Sequence, residues 1–313
     1  MAHNLKSIRQ EFKANGVFYT DERLAQIMKS YIGGEPSEVY DPTCGDGALL
    51  STFGDEVRKF GQELDGEQLD VARSRLVNFE GVCGDTLQAP AFAGRQFACI
   101  MANPPFSTKW EQRKGDERFA DAPALAPPSR ADYAFLLHVL HYLAPDGVAV
   151  VLNAPGILYR GNAEGKIRRY LVENNFVHAV IQLPPDLFFG TTIATCIIVL
   201  KKARADHSVL FVDAAAECVR EGNKNRLTPE NQQRILSLVS ERQAVDHVAA
   251  LVSIDDIKEN DWNLSVSSYV EPEDTREQVD NVELNTRIAG IVERQRELRA
   301  SIDAIVAELE ADR

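Results

Sequence analysis

The run ANPPFS at residues 102–107 follows an apolar stretch, 97–101, with the make-up of a buried strand. Pro104 restricts the backbone of Asn103 before it, and Pro105 stiffens the next step. The rigid tip carries a carboxamide, Asn103, and an aromatic ring, Phe106, that is expected to face solvent. A second stretch, YDPTCGDGALL at 40–50, joins an apolar run to a helical one. Gly45 and Gly47 let the backbone turn sharply and approach a ligand. The third glycine of the dinucleotide fingerprint is missing, and a plain strand–turn–helix explains the other two equally well. Asp41 tilts the reading, because a carboxylate at a strand end favours an ammonium and repels a pyrophosphate. Glu63, about twenty residues further on, is placed to accept both hydroxyls of a ribose, although taken singly it reads as a surface glutamate. Asp85, in VCGDTL, can accept from the exocyclic amine of adenine or can cap a turn. Three acids at three successive strand ends form a joint pattern that these separate explanations account for poorly. Together they describe a pocket for a nucleoside that bears an ammonium and no phosphate.

The elements that must position these residues follow from hydrophobic periodicity. Strand candidates lie at 38–41, 60–64, 80–83, 97–102, 147–153, 177–183 and 194–201, and helix candidates at 46–57, 67–77, 131–143 and 162–174. This alternation predicts an α/β fold with a mostly parallel, doubly wound sheet covered on both faces. Ligands of such sheets sit beyond the carboxyl ends of the strands, near the topological switch point. The segment 107–130, with one Gly and three Pro, reads as a mobile surface loop beside that edge. Past residue 203 the pattern weakens. NRLTPENQQRILSLV predicts a helix with Thr228 as N-cap, Pro229 at its first position and Asn231 at its third. Beyond Pro272 the chain turns helical again. Leu284, Ile288, Ile291, Gln295, Leu298, Ile302, Ile305 and Leu309 alternate in steps of four and three, an a/d seam with one polar position.

Composition narrows the function classes. Five cysteines, at 44, 83, 99, 196 and 218, form no CxxC pair among the 313 residues, which argues against a disulfide framework and a zinc site. No signal peptide and no membrane-length apolar run is read, so a cytoplasmic protein is expected. The net charge of −13 is uneven: residues 255–313 hold 16 acidic and 7 basic side chains, and the remainder is close to neutral. A strongly cationic DNA binder acting alone is not indicated.

With these blocks in this order, the chain resembles the S-adenosylmethionine-dependent amino-methyltransferases of DNA. The closer likeness is to the modification (M) subunit of type I restriction–modification systems, an N6-adenine methyltransferase family of N-P-P-F type. The blocks are GVFYT at 16–20, DPTCGDGALL, NPPFS, ADYAFLLHVLHYLAPDGVAVVL, GILYRG, VIQLPPDLFFGTTIATCIIVLKK, NRLTPEN and NDWNLSVSSYV, which together reach from about residue 12 to 272. The resemblance implies a Rossmann-like catalytic domain over 1–272, with its core at 37–202 and a peripheral extension at 203–272, followed by an amphipathic docking helix over 273–313. It implies that Phe18, Tyr19 and Thr20 touch the methionine part of S-adenosylmethionine. Asp41, Thr43, Gly45 and Gly47 match the cofactor loop, Glu63 the ribose acid, Leu64 the flank of the adenine and Asp85 the acid on the adenine amine. Asn103, Pro104, Pro105 and Phe106 match the catalytic tetrapeptide. Its asparagine oxygen and first proline carbonyl would accept the two N–H bonds of a target amine, and its aromatic ring would stack on a base flipped out of the duplex. Neither a metal nor a side-chain base is required.

The implied partners are DNA, a specificity (S) subunit flanked by two M subunits and, in some systems, a restriction subunit; no membrane is implied. Three residues depart from the pattern. Asp21 follows Thr20 where Pro is usual, Asp46 adds negative charge between the glycines, and Asn153 replaces a Pro after the fifth strand. The helical domain that usually precedes the FYT motif has no counterpart in the few residues before it. The resemblance therefore implies a different grip on DNA, or one supplied by another chain. Two other classes of function remain open at this level: a non-enzymatic cofactor-binding scaffold, and a methyltransferase acting on protein glutamine or RNA.

Overall fold

The computed structural model describes residues 22–187, 194–222, 224–273 and 281–311. The chain divides into two compact units, Met1–Pro272 and Glu273–Arg313. In the first, a nine-stranded sheet is built from β1 (Glu38–Asp41), β2 (Arg58–Glu63), β3 (Phe79–Cys83), β4 (Phe97–Ala102), β5 (Leu143–Asn153), β6 (Val177–Gln182), β7 (Cys196–Lys201), β8 (Ser208–Asp213) and β11 (Ala249–Ser253). Their order across the sheet is β11-β8-β6-β7-β5-β4-β1-β2-β3. The short strands β9 (Val219–Glu221) and β10 (Lys224–Arg226) pair separately as an antiparallel ribbon.

Alternation along the strands sends Tyr40, Ile100 and Val151 to one face and Val39, Met101 and Val150 to the other. The first face packs on α3 (Asp132–Tyr142) and α4 (Asn162–Glu173), and the second on α1 (Glu22–Ser30) and α5 (Pro229–Glu241). α3 is buried over most of its circumference, so it carries little amphipathic pattern. α5 begins as the sequence predicts, with Thr228 and Asn231 in a reciprocal capping box and Pro229 inside it. Among the described residues, the other α-helices of the body are α2 (Gly66–Arg75) and α6 (Ile254–Glu259).

The sheet is mostly parallel, as predicted, with one correction of strand direction inside the core. β7 runs antiparallel between β5 and β6. A parallel return needs a crossover helix, and the intervening sequence, LPPDLFFGTTIAT, has two prolines and a glycine in place of a helical pattern. The predicted helix over 46–57 is a second correction. Residues there form turns and one short 3-10 segment, Leu50–Thr52. Gly47 takes a positive φ, the Ser51 and Thr52 hydroxyls donate back to Ala48 and Leu49 carbonyls, and Gly54 follows. Each of these competes with continued α-helix.

The second unit contains α7 (Asn281–Ala311). Its seven apolar seam residues, Leu284, Ile288, Ile291, Leu298, Ile302, Ile305 and Leu309, are all exposed, as is Gln295. Among the described residues, no helix is long and apolar enough to cross a membrane.

Candidate active site

The chain runs from β1 to β3 in one direction across the sheet, then returns to continue with β4 on the other side of β1. The switch point therefore lies between β1 and β4. A cavity of about 440 Å³ opens there, lined by the residues that leave β1, β2, β3 and β4. That volume falls within the usual range for small-molecule sites. Asp41, Thr43, Gly45, Glu63, Leu64, Asp85, Asn103 and Pro105 all line it. Residues far apart in the sequence are thus brought into one space.

Each acid is held differently. Asp41 is buried at the end of β1, and its Oδ1 accepts from the Thr43 backbone N–H at 2.9 Å and the Thr43 hydroxyl at 3.4 Å. Burial pushes its carboxyl up to about 8, and the neighbouring Glu63 adds to the effect. Glu63 accepts from Gly45 N–H at 2.8 Å on one oxygen and from Asp65 N–H at 2.9 Å on the other. It thereby ties the glycine turn to the end of β2, and each oxygen keeps a lone pair for a ligand. Asp85 is exposed, and its Oδ1 accepts from Leu87 and Gln88 N–H. Turn capping and ligand binding are compatible here because the cap uses a single carboxylate oxygen. Leu64 stands 68% exposed at the mouth of the cavity, an apolar surface that a flat ring can cover.

The two glycines do different work. Gly45 lines the cavity at φ +52°, in open space. Gly47, at φ +80°, does not line it; an added Cβ would stand 2.7 Å from Leu76 Cδ1, so this glycine lets the end of α2 pack closely. Asp46, flagged in the sequence as added charge, is paired with Arg75 at 2.9 Å. Among the described residues the cavity is lined by five carboxylates (Asp41, Asp46, Glu63, Asp65, Asp85) and a single cation, Lys109. No α-helix starts at the glycine turn, so no helix dipole is offered to a phosphate.

In the tetrapeptide, Asn103 is half-buried and faces the cavity, and Pro104 is buried. Phe106 does not stand free in solvent as expected: it is half-buried and packs against the α1/α5 side of the core. Ser107 then adopts φ +52°, and its N–H donates to Asp132 Oδ1 at 3.0 Å. Asp132 is buried at the start of α3, 3.7 Å from Arg160. Sequence reading missed this anchor; an acid opening an otherwise apolar helix was its only signal. Phe18, Tyr19 and Thr20 lie outside the described residues. Asn153, the third departure, is fully buried at the end of β5.

The 107–130 connection is also unlike the expected mobile loop. Trp110, Arg118, Phe119 and Ala126 are buried. The two ends of the connection close on each other through Trp110 N–H to Pro128 O at 2.9 Å and Trp110 Nε1–H to Pro127 O at 3.0 Å. Thr108, Lys109 and Trp110 form one wall of the cavity. Among the described residues no group of His, Cys, Asp and Glu could hold a metal ion.

Comparison with known proteins agrees with this architecture. The family described as N-6 DNA Methylase matches residues 5–278. A curated relative, the MpnII methylase subunit of a type I restriction enzyme from Mycoplasma pneumoniae, is 36% identical over 96% of this chain and 61% of its own length. The MjaVII methylase subunit from Methanocaldococcus jannaschii is 26% identical over 94% of this chain and 56% of its own. The chain thus spans roughly six-tenths of the length of these relatives. Among solved structures, a type I restriction–modification methyltransferase subunit from Streptococcus thermophilus superposes with a TM-score of 0.77 at 36% identity, covering 81% of this chain and 59% of that one. With the family's pattern matched from residue 5 to 278, the chain belongs to the N-6 DNA methylase family.

Proposed function

We propose that this chain transfers the methyl group of S-adenosylmethionine to the N6 amine of an adenine flipped out of DNA, as the modification subunit of a type I system. The observation that carries this reading is the convergence of Asp41, Glu63, Asp85 and Asn103 on one acidic cavity at the switch point. The donor set fits this cofactor. Asp41 is a buried carboxylate raised to about 8, a group that a neighbouring ammonium would stabilise in its charged form. Glu63 suits a ribose diol, Asp85 an exocyclic amine and Leu64 the face of a ring. An excess of carboxylates suits a ligand of net positive charge and disfavours a dinucleotide.

The bound cofactor would supply a methyl group activated by a positively charged sulfur. Everything else in the reaction is asked of the chain. The lone pair of an aromatic amine is delocalised into its ring and nucleophilic only when that conjugation is weakened. Asn103 Oδ1 and the Pro104 carbonyl, accepting the two N–H bonds, would favour a tetrahedral nitrogen and stabilise charge that develops on it as the N–C bond forms and the methyl–sulfur bond breaks, the surplus proton then leaving the nitrogen for water. The two prolines and the Ser107–Asp132 hydrogen bond hold these acceptors in place, so positioning provides much of the rate. Phe106 would stack on the extruded base.

Sequence specificity would come from a separate S subunit, with α7 as the docking element. In support, the exposed seam of α7 has the spacing of a coiled coil, in which a single polar residue such as Gln295 can set register. Two copies of this chain per S subunit, and a restriction subunit, are further partners of the proposed assembly. The test incubates labelled S-adenosylmethionine with unmethylated DNA and this chain, with and without an S subunit. N6-methyladenine that forms only with the S subunit present, and is lost in Asn103→Ala, supports the reading. Label on protein glutamine or RNA instead of DNA would overturn it.

A further inference from the structure

We infer that Arg118 is a positioning residue for the cofactor cavity: it holds the β3 exit, and with it the carboxylate of Asp85, in the geometry that reads an exocyclic amine. This inference rests on the proposed cofactor pocket.

Arg118 lies in the 107–130 connection, more than thirty residues from Asp85, and is only 5% exposed. All five of its N–H donors are engaged. Nε donates to Asp116 Oδ1 at 2.9 Å, and Nη2 to Asp116 Oδ2 at 2.7 Å and to the Leu87 carbonyl at 2.5 Å. Nη1 donates to the Thr86 carbonyl at 2.8 Å and to His138 Nδ1 at 2.9 Å. Thr86 and Leu87 directly follow Asp85. The Leu87 N–H donates back to Asp85 Oδ1 at 2.8 Å, so the guanidinium grips one side of the peptide groups whose other side orients the acid.

The grip extends to β1. Arg118 can only donate to His138 Nδ1, so a neutral ring carries its proton on Nε2 and donates to the Tyr40 hydroxyl at 3.1 Å. Burial, reinforced by the positive charge of Arg118, holds His138 well below its usual range, which keeps the ring neutral and Nδ1 free to accept from Arg118. Tyr40 precedes Asp41 in β1, and the Thr86 hydroxyl donates to the Pro42 carbonyl beside it. Arg118 therefore fastens the exits of β3 and β1, where two of the proposed cofactor acids stand.

Stability alone is a poor account of this arrangement. A buried arginine carries a large desolvation penalty, which its partners offset only with near-complete hydrogen bonding. The planar fork sets five directions at once, and three rotatable lysine donors cannot reproduce them. The same connection carries Thr108, Lys109 and Trp110 along the cavity wall. Arg118 thus ties the segment following the tetrapeptide to the adenine end of the site.

The test compares calorimetric affinities of the full chain for S-adenosylhomocysteine and for S-inosylhomocysteine, in which a carbonyl replaces the exocyclic amine. The wild type should prefer the amine by about tenfold, the value of one hydrogen bond to a charged acceptor. Asp85→Ala should erase that preference. Arg118→Met should reduce it to a similar degree, and the double variant should lose no more than either alone, the signature of one shared interaction. Arg118→Lys, which keeps the charge and some donors, should fall between, and it provides the reading if Arg118→Met does not fold. A merely structural role would lower Tm and weaken both ligands alike. A preserved amine preference in the arginine variants therefore overturns the inference while leaving the cofactor pocket standing. Failure of the wild type to bind either ligand overturns both.

Discussion

The cavity in the body and the seam of α7 are opposite solutions to the same problem of exposed chemistry. Around the cavity, three stretches of turn backbone are held by partners from elsewhere in the same chain: Glu63 holds Gly45, Asp132 holds Ser107, and Arg118 holds Thr86 and Leu87. Along α7, seven apolar side chains repeat with coiled-coil spacing and remain exposed. The first region is organised within the chain. The second has an order in its sequence that nothing within α7 uses, since the seam of a single helix buries little by itself. Under the proposed function this difference is a division of labour: binding and chemistry would be preorganised within the chain, and assembly would use a second surface.

The largest effect is expected at Asn103. Asn103→Ala should lower methyl transfer by about 10²-fold or more, the scale for removing one preorganised hydrogen-bonding group from a reacting centre. Cofactor affinity, read by calorimetry, should change little. Near-wild-type turnover would remove the tetrapeptide from the mechanism.

Deleting residues 276–313 probes the other region. The truncated chain should lose assembly with an S subunit on size-exclusion chromatography and lose the methylation that depends on it, while cofactor binding is retained. Normal assembly by the truncated chain would show that α7 is not the docking element.

Asp41 offers a smaller but more specific effect. Its folded-state carboxyl is raised to about 8, so the folded chain holds a proton that the unfolded chain releases near its ordinary value of 3.8. Stability from this group is therefore fully present below that ordinary value and is lost as pH rises through 8. An incoming ammonium favours the ionised form, so binding at pH 7 should release a proton. Calorimetry in buffers of different ionisation enthalpy should show that release at pH 7 and its absence at pH 9.5. Asp41→Asn should abolish it, and the free variant should be more thermally stable at pH 9 by about 2–4 °C, a kcal/mol-scale change for a chain of this size. A binding enthalpy independent of buffer at pH 7 would separate Asp41 from the ammonium.

The smallest effects concern the glycines. Gly47→Ala meets both a positive φ and a Cβ contact of 2.7 Å with Leu76, whereas Gly45→Ala meets the positive φ in open space. Both should lower stability in urea unfolding, by about 1 kcal/mol for Gly45 and about 1–3 kcal/mol for Gly47. The reverse order would show that α2 yields more readily than its packing implies.

Local pattern made much of the body readable. β1 and β4 fall on the predicted residues because each is an apolar run closed by a turn signal, and α3 and α4 lie within a residue of theirs. The α5 cap was legible for the same reason, since Thr228, Pro229 and Asn231 act on their own neighbours. What failed was set by distant residues or by competing local bonds. Strand direction is not written in hydrophobicity, so β7 looked like any other buried strand. The 46–57 segment has helical hydrophobicity but is turned aside by Gly47, Ser51 and Thr52. The 107–130 connection looked mobile because its composition is loop-like, while its order comes from Trp110 and Arg118 meeting partners outside their own turn. In the site, the residue types at the strand ends were readable, and Asp132 and Arg118 were not, because their work is to hold backbone that lies elsewhere in the sequence.

Titrating S-adenosylmethionine into the isolated protein asks whether the proposed cofactor site works without a partner. Saturable binding at one site is expected without any partner, weakened by about 1–3 kcal/mol in both Glu63→Ala and Asp85→Ala through loss of hydrogen bonds to a buried ligand. Absence of binding, or unchanged affinity in both variants, would contradict it.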